Sequence, residues 1–534
     1  MVDVVITRDK YPAVFGGIGF HNNEAALYKV IDTEHFNQVL CKNYREMAPG
    51  FMRTFAGYDD WTKKAMDDFA EYYEKMQKWT DTPMYFAAAF AKLHFSDEEI
   101  DEYCETVAKN LKYLIEEKKV KHLRYYCFSN EMSQRKWGYL LNDLPLFKKY
   151  HERLYRAFQN NGINVGLLAT DASEYENWKT MDWAIENMSR ITEHYCLHVY
   201  ERKHDIYDLD FYDFFYKKCS EQVYKAIADY KKFIIGEFGI NRLTNTNGPG
   251  VVEDVCRYFE CEECAFSGLM LAEMIFAAIN AGVFAMAYWS YTDYPDPYMC
   301  SYAEKDEYAK KWGECEKFIS GTTGVKYNRW GLLKWTDEGD YSAKDVYWCV
   351  APIVKYFKSN SRVLNIKIED SLLRSCGVIS RNGNVTIGIV NRHKDSVKIK
   401  LDSNLFNKDI RVIEYDTNNV PRNKFGDIQM CSCQLEPNNP TYELKPSSMT
   451  IFTTDYLTKE KSVYADGIRF EGNRLKWNAV DEPEHCYYRV FADENSDFQP
   501  TIDNQIASTV AEEIPIKTKE LFYKVLSVDN SGNI

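Results

Sequence analysis

Two acidic residues in this chain each close an apolar run of strand type. Phe233-Ile234-Ile235-Gly236-Glu237-Phe238-Gly239 ends on a carboxylate framed by two glycines. Roughly a hundred residues earlier, Leu123-Arg124-Tyr125-Tyr126-Cys127-Phe128-Ser129-Asn130-Glu131 stops on another, with an amide just before it. Runs of this kind between helical segments read as buried strands of a parallel sheet. In a closed parallel barrel the C-terminal strand ends share one face, so acids far apart in sequence can meet there. Two facing carboxyls are the minimum equipment for splitting a glycosidic bond. One protonates the leaving oxygen and the other works beneath the anomeric carbon. Carboxyls about 5–5.5 Å apart give a covalent intermediate and retention, whereas about 6.5–9.5 Å admits a water and gives inversion.

The elements that must hold these acids alternate strand and helix. Strands are expected at 12–20, Met47–Phe55 (carrying Arg53), Met84–Phe90, and the run ending at Glu131. Four more are expected at Ile163–Ala169, His194–Tyr200, the run ending at Glu237, and Val283–Ser290. The intervening helices are expected at about 24–44, 61–79, 96–119, 145–160, 174–190, 210–230, 251–281 and 343–357. Ser96 with Glu99 makes a capping box, and Gly162 breaks the fourth helix. Eight strand–helix units spell a TIM (β/α)8 barrel of class α/β. A doubly wound sheet would alternate too, but no glycine-rich phosphate loop comes after the first strand. Strands four and seven stand on opposite sides of a barrel packed with side chains, so their tips face across a narrow gap, which favours retention.

From Arg362 the period changes to two. Val363–Ile368, Asn384–Val390, Ser396–Leu401 and Met449–Thr453 are short strands punctuated by turns such as Asn382-Gly383. The chain thus divides into a barrel over 1–360, an antiparallel β-sandwich over 361–457, and a last unit over 463–534. Val2–Thr7, within the barrel's span, alternates in the same way and is a candidate to donate a strand to the sandwich. In the last unit, Leu475-Lys476-Trp477 and Leu521-Phe522-Tyr523 resemble the early-tryptophan, late-tyrosine pattern of a fibronectin type III module, with the final strand missing.

The set of residue types at the strand ends resembles clan GH-A of the glycoside hydrolases, and the trailing sandwich resembles the β-domain of its families 30, 39 and 51. The likeness spans roughly residues 10–360 of the chain. It implies Glu131 as general acid/base and Glu237 as nucleophile, with Asn130 holding a sugar 2-hydroxyl. Arg53 would keep the nucleophile ionised. His198 and Tyr200 would line the cleaved sugar's subsite, and Trp289 would lie beneath that sugar. Many members have a proline after Asn-Glu where this chain has Met132, which bears on loop shape rather than chemistry. Taken singly, each position has a plainer account. A glutamate at a strand end is usually solvated, Arg53 and His198 could be satisfied core polars, and Trp289 could be plain core. Asp171, Glu201 and Asp293 are read as loop or rim residues.

The implied activity is a retaining glycosidase acting on β-linked saccharides, or on the stereochemically equivalent α-L-arabinosides, without metal or organic cofactor. The alternatives are a carbohydrate-binding barrel that has lost turnover, a transglycosylase using the same carboxylates, and a metal-assisted barrel enzyme. The net charge of −14, from 80 acidic against 66 basic residues, disfavours nucleic acid and anionic membrane as partners. The partner left is an oligosaccharide or polysaccharide, and the 15% aromatic content suits sugar stacking as well as cores. Sugar identity, linkage, exo or endo action and oligomeric state are not written in the sequence. Fifteen scattered cysteines read as reduced thiols. Cys261-Glu262-Glu263-Cys264 has a zinc-like spacing, but no second pair lies at a suitable distance. With no signal-type segment, the cytoplasm is the expected compartment and secretion the alternative.

Overall fold

The computed structural model describes all residues except 23–29, 32, 56–61, 78–79, 89–94, 133–137, 203–208, 242–264, 296–326, 329, 335–341, 429–430, 439, 459–461, 518–520 and 534. Eight parallel strands close into a barrel. Numbered one to eight in chain order, they are Gly17–His21, Phe51–Phe55, Met84–Ala87, Leu123–Cys127, Gly166–Ala172, His194–Arg202, Phe233–Asn241 and Ala285–Tyr288. Their inward side chains, among them Phe51, Tyr85, Cys127, Leu168, Cys196, Ile234 and Ala287, fill the interior. The barrel is therefore a packed plug with chemistry only at its rim.

The helices wrap the outside with one apolar face inward. Asp97–Lys112 begins on the Ser96–Glu99 capping box, and Leu144–Asn161 begins on Asp143 and ends at Gly162 in the left-handed region. The helix expected over 24–44 instead runs from Phe36 to Met47 among the described residues. Thr33 Oγ accepts from Phe36 N–H, and Ala48 terminates the run at φ 46°. The thiols Cys256, Cys261 and Cys264 lie outside the described residues, and ten others are unpaired.

Ten strands form one sheet beyond the barrel, antiparallel save where Val2–Arg8 runs parallel to Val397–Asp402. Val2–Arg8 also pairs with Ser361–Lys367, so the start of the chain is woven into the sandwich. The sheet encloses its own core of Val4, Ile6, Leu364, Ile387, Ile399, Val412 and Phe452. Between barrel and sandwich lies helix Ala265–Ala281, buried on every side from Ser267 to Ile279. A helix apolar all round is an interior element. Its Phe276 ring sits so close over Gly388 that a Cβ there would fall 2.2 Å from the ring. Its one acid, Glu273, pairs with Arg392 of the sandwich at 3.1 Å. Burial lifts the Glu273 carboxyl to about 7 against the pull of that guanidinium.

The last unit is two three-stranded sheets with Trp477 buried against Tyr488 at 5.5 Å. It meets the rest of the chain at a buried ionic junction. Lys42 Nζ, from the barrel's helix Cys41–Met47, reaches Glu46 Oε2 at 3.0 Å and Asp427 Oδ1 at 2.6 Å. Arg489 Nε meets Asp427 Oδ2 at 3.0 Å, and Tyr487 OH donates to Glu46 Oε1 at 3.1 Å. Two cations and two anions balance across three parts of the chain. Removing one partner would strand buried charge, which costs far more than the pair contributes.

Burial alone would raise Asp427, but Lys42 and Arg489 hold its carboxyl down at about 2. A depressed acid stabilises above its unfolded pKa of about 3.9, and that contribution disappears as pH falls toward 2. Asp427→Asn is expected to lose about 3 kcal/mol or more of stability at neutral pH. It is also expected to show a flatter stability profile between about pH 4 and pH 2. Thermal and denaturant unfolding across pH would measure both; an unchanged midpoint and profile would rule the junction out as a structural tie.

Candidate active site

At the C-terminal mouth of the barrel the strand register lines up polar side chains. His21 stands opposite Arg53 and Arg53 opposite Tyr85, and across the mouth His198 stands opposite Glu237. Strand seven carries an irregularity just before this pairing. Leu197 matches Ile235 but His198 matches Glu237, so Gly236 is the inserted residue. A bulge bends its strand and re-aims the side chains beyond it. Only glycine fits there, since a Cβ on Gly236 would lie 2.5 Å from Cys196 Sγ and 2.9 Å from His198 Nε2. On the other side of Glu237, a Cβ on Gly239 would press the Tyr200 ring at 3.3 Å. The two glycines framing the acid are thus room for its neighbours.

Glu131 lies four residues beyond strand four, in the left-handed region at φ 48°. That conformation costs a non-glycine residue about 1 kcal/mol or more, so its surroundings must hold it. Ser129 Oγ donates to Thr170 O at 3.2 Å on one side, and Met132 is fully buried on the other. Met132 therefore acts as an apolar peg for this loop.

Arg53 sits at the centre with no exposed surface. Its Nη1 meets Glu237 Oε1 at 2.7 Å and His21 Nδ1 at 3.0 Å. Its Nη2 donates to Asn130 Oδ1 at 2.6 Å and reaches Asp171 Oδ2 at 3.3 Å. Tyr200 OH donates to Glu237 Oε2 at 2.5 Å. His198 Nδ1 lies 3.3 Å from Glu131 Oε1 and 3.5 Å from Glu237 Oε2, while its Nε2 meets Asp171 Oδ1 at 2.8 Å. One carboxyl oxygen each of Glu131 and Glu237 lies within 4.8 Å of the other. Six of the seven residues singled out in the sequence are joined by these contacts. The seventh, half-buried Trp289, comes just after strand eight and forms an aromatic wall with His21 at 4.1 Å and Phe55 at 5.7 Å.

Three acids expected at the rim are instead buried. Asp171, on strand five at φ 62°, accepts from His198, from Tyr85 OH at 2.5 Å and from Cys196 Sγ at 3.3 Å, besides meeting Arg53. Glu201 is held by Tyr175 OH, and Asp293 by Lys344 Nζ at 2.7 Å and Gly331 N–H at 2.9 Å. Each is buried because a donor from another segment offsets its desolvation. His21, Tyr85 and Asp171 belong to the site; sequence reasoning passes over the first two and reads Asp171 as a rim acid. A signal for them exists: they are the polar residues near the ends of strands one, three and five.

The cluster holds three carboxyls against two cations. Burial works against each charge, yet His198 and Arg53 hold Asp171 down at about 2. Asp171 and Glu237 likewise outweigh desolvation at His198, lifting it to about 10. His21 goes the other way, pushed well down by burial and by Arg53 and His198, and is neutral. Burial leaves the Glu237 carboxyl raised above its ordinary value, with Glu131 adding to the rise, although Arg53, His198 and Tyr200 each pull it down. With Arg53 and His198 charged and Asp171 ionised, one further proton on Glu131 or Glu237 makes the cluster neutral. Among the described residues, Glu131, His198 and Glu237 have the spacing of a metal-ligand set, as do Asp171, Cys196 and His198. A protonated imidazole has no lone pair for a metal, however, and Arg53 already neutralises these oxygens. The donor set suits proton transfer.

No protein-family profile and no curated protein sequence matches the chain. Solved structures do match, at the level of fold. The catalytic domain of GH30 xylanase C from Talaromyces cellulolyticus superposes with a TM-score of 0.55 at 11% identity, covering 84% of this chain and 99% of that one. The GH51 arabinofuranosidase from Xanthomonas axonopodis pv. citri gives 0.55 at 11%, covering 85% and 100%. The endo-beta1,6-glucanase BT3312 gives 0.54 at 10%, covering 84% and 93%. The chain has the barrel-plus-β-sheet fold of these glycoside hydrolase structures. Among the described residues no helix is long and apolar enough to cross a membrane.

Asp171→Asn removes the negative charge facing His198 Nε2 and leaves its size. The His198 imidazole is expected to titrate well below 10, by about one unit or more, as read by NMR on histidine-labelled protein. An unmoved titration would show that Asp171 does not set the charge on His198.

Proposed function

We propose that the chain is a retaining glycoside hydrolase. The observation that carries the reading is the approach of Glu131 and Glu237 oxygens to within 4.8 Å at the barrel mouth. That spacing suits direct attack and is short for an intervening water. Glu237 acts as nucleophile, because Arg53 at 2.7 Å and Tyr200 at 2.5 Å both favour its anion. Glu131 carries the shared proton, gives it to the leaving oxygen, and takes one back from water in the second step. Once Glu237 becomes an ester its charge is gone, and Glu131 serves as the base for the attacking water in the second step. Asn130, fixed by Arg53, presents its amide N–H to the sugar 2-hydroxyl, and Trp289 with Phe55 and His21 forms the apolar floor. The substrates are β-glycosides or α-L-arabinosides, a class that fits the xylanase, arabinofuranosidase and glucanase named among the fold neighbours.

Glu237→Ala is expected to lower turnover by roughly 10³-fold or more with the fold intact. Glu131→Ala is expected to impair natural saccharides far more than aryl glycosides, whose leaving groups need no proton. A panel of nitrophenyl glycosides, then a 2-fluoro sugar with mass spectrometry, tests this directly. Covalent labelling at Glu237 supports the reading. Wild-type turnover in Glu237→Ala, or a wild type that neither turns over nor labels, would overturn it.

A further inference from the structure

Far from the barrel mouth, a cavity of about 280 Å³ opens where three parts of the chain meet. Lys355 and Tyr356 come from helix Asp345–Tyr356, and Arg411 from strand Ile410–Asp416 of the sandwich. Ser531 and Gly532 come from the end of the last unit. Cys431, Cys433, Gln434 and Ile428 complete the lining, which among the described residues contains two cations and no carboxylate. On a chain of net charge −14, that is an inversion of the prevailing sign.

Lys355 is only 2% exposed, and no hydrogen bond or ion pair with a described residue satisfies its ammonium. The Tyr356 ring lies 5.9 Å from it, and the Gly532 backbone stands beside it. Arg411 is held in place by the Tyr456 ring beneath it at 3.9 Å, by Ser531 O at 3.3 Å and by Asn533 Oδ1 at 2.7 Å. Its Nε is buried with no hydrogen-bond partner. A buried ammonium without a counter-charge is costly, and other buried cations in this protein have one: Lys42, Arg53, Lys344, Arg392 and Arg489 each meet a carboxylate. Two more lysines, Lys358 and Lys408, lie in the field of a single acid, Asp455.

We infer that this cavity is a binding site for a small oxyanion, a phosphate or carboxylate group, gripped between the Lys355 ammonium and the Arg411 guanidinium. The ligand supplies the missing counter-charge, and its group bridges barrel, sandwich and last unit. The site is separate from the glycosidase reading and stands or falls without it.

Calorimetric titration of the full chain at constant ionic strength tests it, with inorganic phosphate and acetate as probes and chloride as the control. Saturable binding of one equivalent is expected for at least one probe, and the two arms tell phosphate from carboxylate. Lys355→Met, which keeps the length and the packing, is expected to weaken binding by about tenfold or more, and Lys355→Arg to retain it. Arg411→Met, at a half-buried position, gives the same reading should Lys355→Met fail to fold. No saturable heat from either probe would overturn the inference, as would equal affinity in a folded neutral variant.

Discussion

Placing a guanidinium where no water can reach it is the constraint that orders the mouth of this barrel. Arg53 is surrounded by Glu237, Asp171, Asn130 and His21, and desolvating it is tolerable only because those groups replace its hydration. Each of them is fixed in turn. Asp171 is tied to His198 and Tyr85, and Glu237 to Tyr200. Six barrel strands contribute to this ring of contacts, so a change at any of them reaches the two glutamates. Preorganisation of this kind is what a site needs if charge is to develop without waiting for water to rearrange.

The barrel is legible in the sequence because its strands are short, apolar and separated by amphipathic helices, a rhythm that survives without any alignment. The sandwich is legible only in part, through runs of clear apolar alternation such as Val385–Asn391 and Ser448–Thr453. Leu373–Ile379 and Ile410–Asp416 escape notice because charged residues such as Arg374, Arg411 and Glu414 interrupt their alternation. At the site, the residues that stand out are those a carboxylate mechanism asks for. Asp171 reads as a rim acid because a sequence shows neither the left-handed turn that folds it inward nor the cations that offset its burial. Gly236 is visible as a frame for Glu237, but the imidazole that requires its missing side chain comes from another strand.

Two kinds of contact join the parts of the chain. Helix Ala265–Ala281 is apolar glue between barrel and sandwich, riveted by the Glu273–Arg392 ion pair and by hydrogen bonds from Asn280 to Ser375 O and from Tyr415 OH to Ala265 O. The Lys42–Glu46–Asp427–Arg489 cluster is the opposite, a balanced ionic knot that adds little net stability but tolerates only one arrangement of its partners. The first supplies adhesion and the second supplies register. Together they place the last unit against the barrel's helix Cys41–Met47 and not at the end of a loose tether.

The strand Val2–Arg8 carries a consequence for biosynthesis. It leaves the ribosome about 360 residues ahead of its partners, Ser361–Lys367 and Val397–Asp402. At about 5–20 residues per second, that is a delay on the order of tens of seconds. Throughout it a β-prone heptad has both edges open, guarded by Asp3 and Arg8, while the barrel assembles behind it. The nascent protein thus emerges with its last seam still unsewn, and closing that seam ties the opening residues of the chain to its second half.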